Sequence, residues 1–340
     1  NYRSLRTSAT LTAYNAAGSL TWSRTESYGY EAERDFLTSY NYGGGGSAMT
    51  WTYDAAGNRI SQDGDSTSWT YDNLNMMLTS PQRWYDGHVS NRYSDPDVMM
   101  GRRKWANYGL TGNFQAFSTW DEIGRLWSYT PEAEGGTGAA YAYRADGMGV
   151  RKVTGFSMWW IEPNAQEAGY YVDEIDLGAP TYRYFYDGQM MQEDDKTIPN
   201  LMGAPTISGN SYALGARGID RIMPWTYASG TRTNGTASYP VYDGHGNMIL
   251  TLAKNGTNFT HGNERSYDPW GGPGHTGDPT QGYCANLGHV TDDESGLIYM
   301  RARYYEPSTG RFLSEDPARD GANWYVYCGN EPVLRLDSHG

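Results

Sequence analysis

Few side chains in this sequence stand at spacings that chemistry demands. His88, His245, His261, His275, His289 and His339 are scattered, and none pairs at the H-x-x-x-H spacing that turns two imidazoles toward one zinc ion. No G-x-S-x-G elbow, phosphate-binding loop or dinucleotide fingerprint is found. No metal and no cofactor are therefore expected. Asp292-Asp293-Glu294 offers oxygen ligands of the kind calcium takes, but without EF-hand spacing it reads as a solvated acidic turn. Cys284 and Cys328 allow one disulfide, worth roughly 3–4 kcal/mol by loop closure, or two buried thiols. Near the C-terminus stand Arg303, Asp316 and Asp337. On local chemistry alone, Asp316 before Pro317 opens a turn, Asp337 caps a chain reversal into Ser338, and Arg303 pairs with Glu306 or Asp293.

The elements that must hold these groups are strands. Gly makes up 43 of the 340 residues, nearly twice the usual share of about 7%, and Tyr and Trp add 30 and 12. A helical bundle would be rich in Ala, Glu, Lys and Leu instead. So many aromatics supply ample surface to bury, which argues against disorder. The composition therefore predicts an all-β protein rich in turns. A formal net charge of −13, with lysines only at positions 104, 152, 196 and 254, repels phosphate backbones and excludes general nucleic-acid binding. The most apolar run is only Met158-Trp159-Trp160-Ile161, so no membrane-spanning helix is expected. The first residue is Asn, which suggests a processed product or part of a longer chain.

An aromatic followed by Asp or Asn and then often Gly recurs along the chain. The copies read YNAAGSL (14–20), YDAAGNRI (53–60), YDNLNMML (71–78), WDEIGRLWSYT (120–130) and YRADGMGVRKV (143–153). They continue with FYDGQMMQE (185–193), YDGHGNMILTL (242–252) and YDPWGGPG (267–274). Each copy has the chemistry of a hairpin: the aromatic ends a strand, Asp or Asn opens the turn, and Gly takes the positive-φ position. Alternating strands such as Asn58-Arg59-Ile60 then turn their apolar residues to one side. A lone hairpin is marginal, so neighbours must pair into one long curved antiparallel sheet. Between the copies, Gly43 to Gly46 is a flexible loop tip, and 132–140 and 193–203 are surface loops. The basic stretch 99–109 reads as a guard on an edge strand.

From Tyr267 the sequence becomes specific: YDPWG, then DESGLIY (293–299), RARYY (301–305), PSTGRFLS (307–314), Asp316-Pro317, WYVY (324–327) and GNEP (329–332). This segment closely resembles the Rhs repeat-associated core domain of bacterial Rhs and YD-repeat proteins, and the upstream copies resemble the same family's Tyr-Asp repeats. The resemblance implies a YD-repeat sheet over 1–266 and a plug-like core domain over 267–340. In the family, which includes the C components of Tc toxins and the related teneurins, the repeats wind into a hollow β-shell. In the bacterial toxins the shell encloses a variable C-terminal toxin, and the core domain cuts the chain just past a D-P-x-G motif.

Carried over residue by residue, the resemblance implies a self-cleavage site of Arg303, Asp316 and Asp337. Two carboxylates brought close would share one proton, one activating water while the other polarises the scissile carbonyl, with the guanidinium offsetting their charge. The cleavage motif would be Asp337-Ser338-His339-Gly340, where Ser338 replaces the family's Pro and removes a fixed φ. The cut is expected just beyond Gly340. The implied partner is the chain's own C-terminal toxin segment, with delivery-system components, at a secreted or cell-surface location. Enclosing a toxin needs more wall than 340 residues supply. A second expectation is thus a structural protein whose open sheet edge pairs with other copies into an extracellular filament or surface layer.

Overall fold

The computed structural model describes residues 5–14, 17–64, 69–80, 83–85, 105–108, 114–131, 138–158, 172–173, 179–272 and 279–340. The expected basic stretch falls largely outside these, at 99–104, as do His88 and His275. The architecture is all-β, and no α-helix occurs among the described residues. Five strands, Ser8–Tyr14, Leu20–Tyr30, Leu37–Asn41, Met49–Tyr53 and Arg59–Gln62, form an antiparallel sheet in chain order. A second antiparallel sheet runs from Thr70–Tyr71 to Asn258–Gly262, each strand mostly pairing with the next in sequence. A small third sheet, Val290–Thr291, Ile298–Met300, Arg303–Glu306 and Arg311–Phe312, lies in the C-terminal segment.

The repeats fold as hairpins for a local reason. At Asp54, Asp72, Asp121, Asp243 and Asp268 the backbone N–H donates to the carbonyl four residues on, at 2.6 to 3.0 Å. The residue three positions on donates back to the Asp carbonyl and has positive φ: Gly57, Asn75, Gly124, Gly246 and Gly271. Each Asp also accepts the fourth N–H on Oδ1, as Asp54 does from Asn58 at 2.8 Å and Asp243 from Asn247 at 3.0 Å. A carboxylate satisfying turn amides, with a residue able to adopt the left-handed region, fixes the reversal without help from the rest of the fold.

Three of the leading tyrosines tie their hairpins to strands earlier in the chain. Tyr71 donates to the Arg59 carbonyl at 2.6 Å, and Tyr143 to the Leu126 carbonyl at 2.6 Å. Both acceptors lie five residues after the Asp of the preceding turn, Asp54 and Asp121. Tyr242 similarly reaches the Ile219 carbonyl at 2.9 Å. The ring supplies buried area while the hydroxyl finds a partner, as a buried tyrosine requires.

Two local expectations differ from the structure. Arg59 is buried and Ile60 is exposed, the reverse of the apolar-inward reading. The Arg59 guanidinium lies 4.6 Å from the Trp270 ring centre and 5.6 Å from those of Trp51 and Trp69, so stacking on aromatics carries the charge inside. The stretch 193–203 is not all loop, because Met190–Ile198 is a strand. It turns Asp195 inward, where Arg183 meets it with a forked contact of 2.9 and 2.6 Å.

The C-terminal segment shares the core of the repeats along their length. Trp270, Tyr283, Tyr305, Phe312 and Tyr327 pack with Leu37, Tyr40 and Trp51. Leu297, Tyr304 and Leu313 pack with Trp69, Leu126 and Tyr141, and Ala285 packs with Met191, Ile219 and Met248. The tail is thereby held against both larger sheets, which positions the site.

Candidate functional site

A tight reversal, Met300-Arg301-Ala302-Arg303, sits at the centre of the third sheet, with Met300 paired to Arg303 and Arg301 at φ +68°. Its three consecutive residues grip the end of the chain. Arg301 donates from Nη1 to the Ser338 carbonyl, and the Ala302 N–H to the His339 carbonyl at 3.0 Å. Arg303 Nε donates to the Gly340 carbonyl at 2.8 Å.

Arg303 is buried, and two of its three guanidinium nitrogens donate hydrogen bonds. Nη1 donates to the Trp324 carbonyl at 2.8 Å, and the guanidinium carbon stands 3.6 Å from the Phe312 ring centre. Nη2 lies 3.8 Å from Asp337 Oδ2, a charge contact longer than a hydrogen bond. Burial lowers the Arg303 pKa, while Asp316 and Asp337 both oppose that shift, so both carboxylates act on this guanidinium. The structure thus brings the three expected residues into one electrostatic neighbourhood.

The carboxylates also do the local work that their turns require. Asp337 Oδ1 accepts the His339 and Gly340 N–H groups at 3.1 and 2.8 Å, bending the tail toward Arg303. Asp316 Oδ1 accepts the Ala318 N–H at 2.9 Å, and the Asp316 N–H shares the Trp324 carbonyl with Arg303. Arg303 does not pair with Glu306, whose Oε2 accepts the Thr309 hydroxyl at 2.8 Å. Ser338 Oγ lies 2.8 Å from His339 Nδ1. Gly340 has φ +84°, and a β-carbon there would run into the Met300 carbonyl. A cleft of about 450 Å³ opens beside the tail, lined by Arg301, Ala302, Asp316, Pro317 and His339.

Sequence reasoning missed Arg301, Phe312 and Trp324. The R-A-R spacing is a signal for Arg301, since residues i and i+2 can flank one turn. Nothing local marks a carbonyl such as that of Trp324. His289 also lies near, fully buried, and burial with the Arg301 charge depresses its pKa to about 3.

The cysteines are both free thiols. Cys284 Sγ lies 3.6 Å from the Tyr327 hydroxyl, and Cys328 Sγ is 3.4 Å from the Arg335 carbonyl. The acidic turn at 292–294 departs from the solvated reading. Asp292 is buried, and Lys152 reaches both Asp292 and Glu294 from the strand Gly149–Met158. A buried lysine needs that countercharge, and a calcium ion could use these carboxylates only by displacing the lysine. Among the described residues, no group of three or more His, Cys, Asp or Glu could hold a metal ion.

No protein-family model matches the chain. It is 27% identical over 307 residues to the tRNA3(Ser)-specific nuclease WapA of Bacillus spizizenii, covering 87% of this chain and 11% of that protein. Over 55 residues, 16% of the chain and 4% of the relative, it is 47% identical to the toxin protein Tse5 of Pseudomonas aeruginosa. The chain therefore spans about a tenth or less of the length of these curated relatives. Among solved structures, the TcdB2-TccC3-TEV complex aligns with 96% of this chain and 19% of its own, at 18% identity and a TM-score of 0.48.

Proposed function

We propose that this chain is a stretch of YD-repeat wall and its C-terminal core domain from a larger secreted or cell-surface toxin. In this reading it retains a toxin segment lying beyond Gly340 and releases it by one self-cleavage. The contact that supports this best is the 2.8 Å hydrogen bond from buried Arg303 to the Gly340 carbonyl. In a chain that continues past Gly340 this oxygen is a peptide carbonyl, and a cationic donor aimed at it would stabilise the oxyanion of a tetrahedral intermediate.

The remaining groups take complementary roles. Asp337 holds the turn that presents Gly340, and Asp316, on the cleft beside His339, activates a water as general base. Water gives a proton to Asp316 as it adds to the carbonyl carbon, Arg303 balances the developing oxygen charge, and the C–N bond breaks as Asp316 passes that proton to the departing amine. The similarity to proteins named as toxins and nucleases accords with this reading, in which wall and plug are common and the cargo varies.

The test is a chain extended past Gly340 with a folded reporter. Wild type should appear as two fragments, and Asp316→Asn and Asp337→Asn should remain uncut while keeping the wild-type circular dichroism. Normal processing of either variant would refute the assignment.

A further inference from the structure

The buried cluster at Lys152 has a geometry that goes beyond an ion pair. Lys152 Nζ lies 3.0 Å from Asp292 Oδ1 and 2.6 Å from Glu294 Oε2, bringing together residues 140 and 142 positions apart. All three side chains are withdrawn from solvent, at 8%, 6% and 12% exposure. The Tyr182 ring centre stands 4.7 Å from Nζ. Asp292 Oδ2, the oxygen facing away from the lysine, accepts three hydrogen bonds: from the Tyr141 hydroxyl at 2.9 Å, the Ser295 N–H at 3.1 Å and the Ser295 hydroxyl at 2.6 Å.

We propose that Lys152 and Asp292 condense into an intramolecular isopeptide bond, with Glu294 carrying the proton, so that the second sheet is covalently fastened to the C-terminal segment.

The chemistry balances without an external reactant. A lysine ammonium and an aspartate carboxylate together have the composition of an amide plus one water. Glu294 takes a proton from Nζ, freeing the nitrogen lone pair to attack Asp292 Cγ. The negative charge gathers on Oδ2, where Tyr141 and Ser295 already supply three donors. Glu294 returns that proton to Oδ1 and then relays a second one from the attached nitrogen to the same oxygen, so the Cγ–Oδ1 bond breaks, a neutral amide N–H remains and water leaves. A cavity of about 560 Å³ bordered by Lys152 and Asp292 receives it. Nothing is oxidised or reduced.

Three physical circumstances favour the step. Held at contact distance, nucleophile and carboxyl react as one molecule, which is where large effective concentrations arise. Burial makes the two separate charges costly, and the amide removes both. Glu294 is suited to shuttle a proton, because burial and then the neighbouring Asp292 charge raise its pKa above that of an ordinary glutamate. Burial also disfavours the Lys152 cation, although Asp292 and Glu294 together hold it above its ordinary pKa, so the reaction starts from the ion pair.

The inference is independent of the self-cleavage reading. Its test is the intact mass and tryptic map of the purified full 340-residue chain. The expected result is a mass lower than the sequence mass by one water, and a cross-linked peptide pair carrying Lys152 and Asp292. Glu294→Gln should fold with unchanged near-ultraviolet circular dichroism, return to the mass its sequence requires, and yield the two peptides separately. A wild-type mass equal to the sequence mass overturns the proposal. So does water loss without the cross-linked pair, which an Asp-Gly succinimide such as one at Asp243-Gly244 would give. A cross-link persisting in Glu294→Gln would overturn the role given to Glu294.

Discussion

Arg303 binds the carbonyl oxygen of Gly340 through Nε, across 37 residues of sequence, while a second nitrogen of the same guanidinium binds Trp324. Only a planar fork of donors can hold two carbonyls and face two carboxylates at once. Lys at this position keeps the charge and loses the fork. Arg303→Lys is expected to slow self-cleavage by roughly 10²-fold, the usual effect of losing one oxyanion donor. The first-order rate of precursor loss measures this, and an unchanged rate would remove Arg303 from the site.

The tyrosine ties predict a stability effect that needs no cleavage assay. Tyr143→Phe removes the hydroxyl bonded to the Leu126 carbonyl and leaves that carbonyl without it. The expected cost is about 1–2 kcal/mol, read as a lower urea midpoint at unchanged slope. An unshifted midpoint would mean that the ring alone carries the repeat-to-repeat contact.

Buried His289 gives the fold an acid limit. Burial, and secondarily the charge of Arg301, lowers its pKa from 6.5 to about 3 in the folded protein. Between those values the unfolded chain binds the extra proton and the folded chain does not. Stability is therefore lost as pH falls from about 6.5 toward 3, by on the order of 4 kcal/mol at the lower end. His289→Leu should flatten that part of the stability profile, and an equally steep profile in the variant would assign the acid sensitivity to other groups.

The thiols offer a simple count. Burial pushes Cys284 up to about 12 and raises Cys328 as well, so neither forms a thiolate readily near neutral pH. Without reductant, a thiol reagent at pH 8 should find almost no reaction in the native protein and two thiols after denaturation. Zero thiols in denaturant would show that Cys284 and Cys328 are joined.

What the sequence makes legible follows from the range of the interactions. The Asp54 and Asp243 turns are closed by hydrogen bonds within four residues, so residue types alone reveal them. The inward turn of Arg59 is not legible, because the tryptophan nearest to it, Trp270, lies far along the chain. Lys152 likewise cannot be paired with Asp292 by inspection, since only the packing of the C-terminal segment on the second sheet brings them together. At the tail, resemblance pointed to Arg303, Asp316 and Asp337, and local chemistry correctly described the turn bonds of the two aspartates. Neither exposed the grip on the tail by Arg301, Ala302 and Arg303, which exists only once residues 300–303 and 337–340 are folded together.

The most direct measurement is the mass of each fragment released when the chain is produced with a folded extension beyond Gly340. Release of the extension by a single cut, at Gly340 or one residue past it, is the predicted outcome, with Arg303→Lys and Asp337→Asn left largely whole. An extension that stays attached in the wild type, or a cut far from Gly340, would contradict the assignment of Arg303, Asp316 and Asp337 to cleavage.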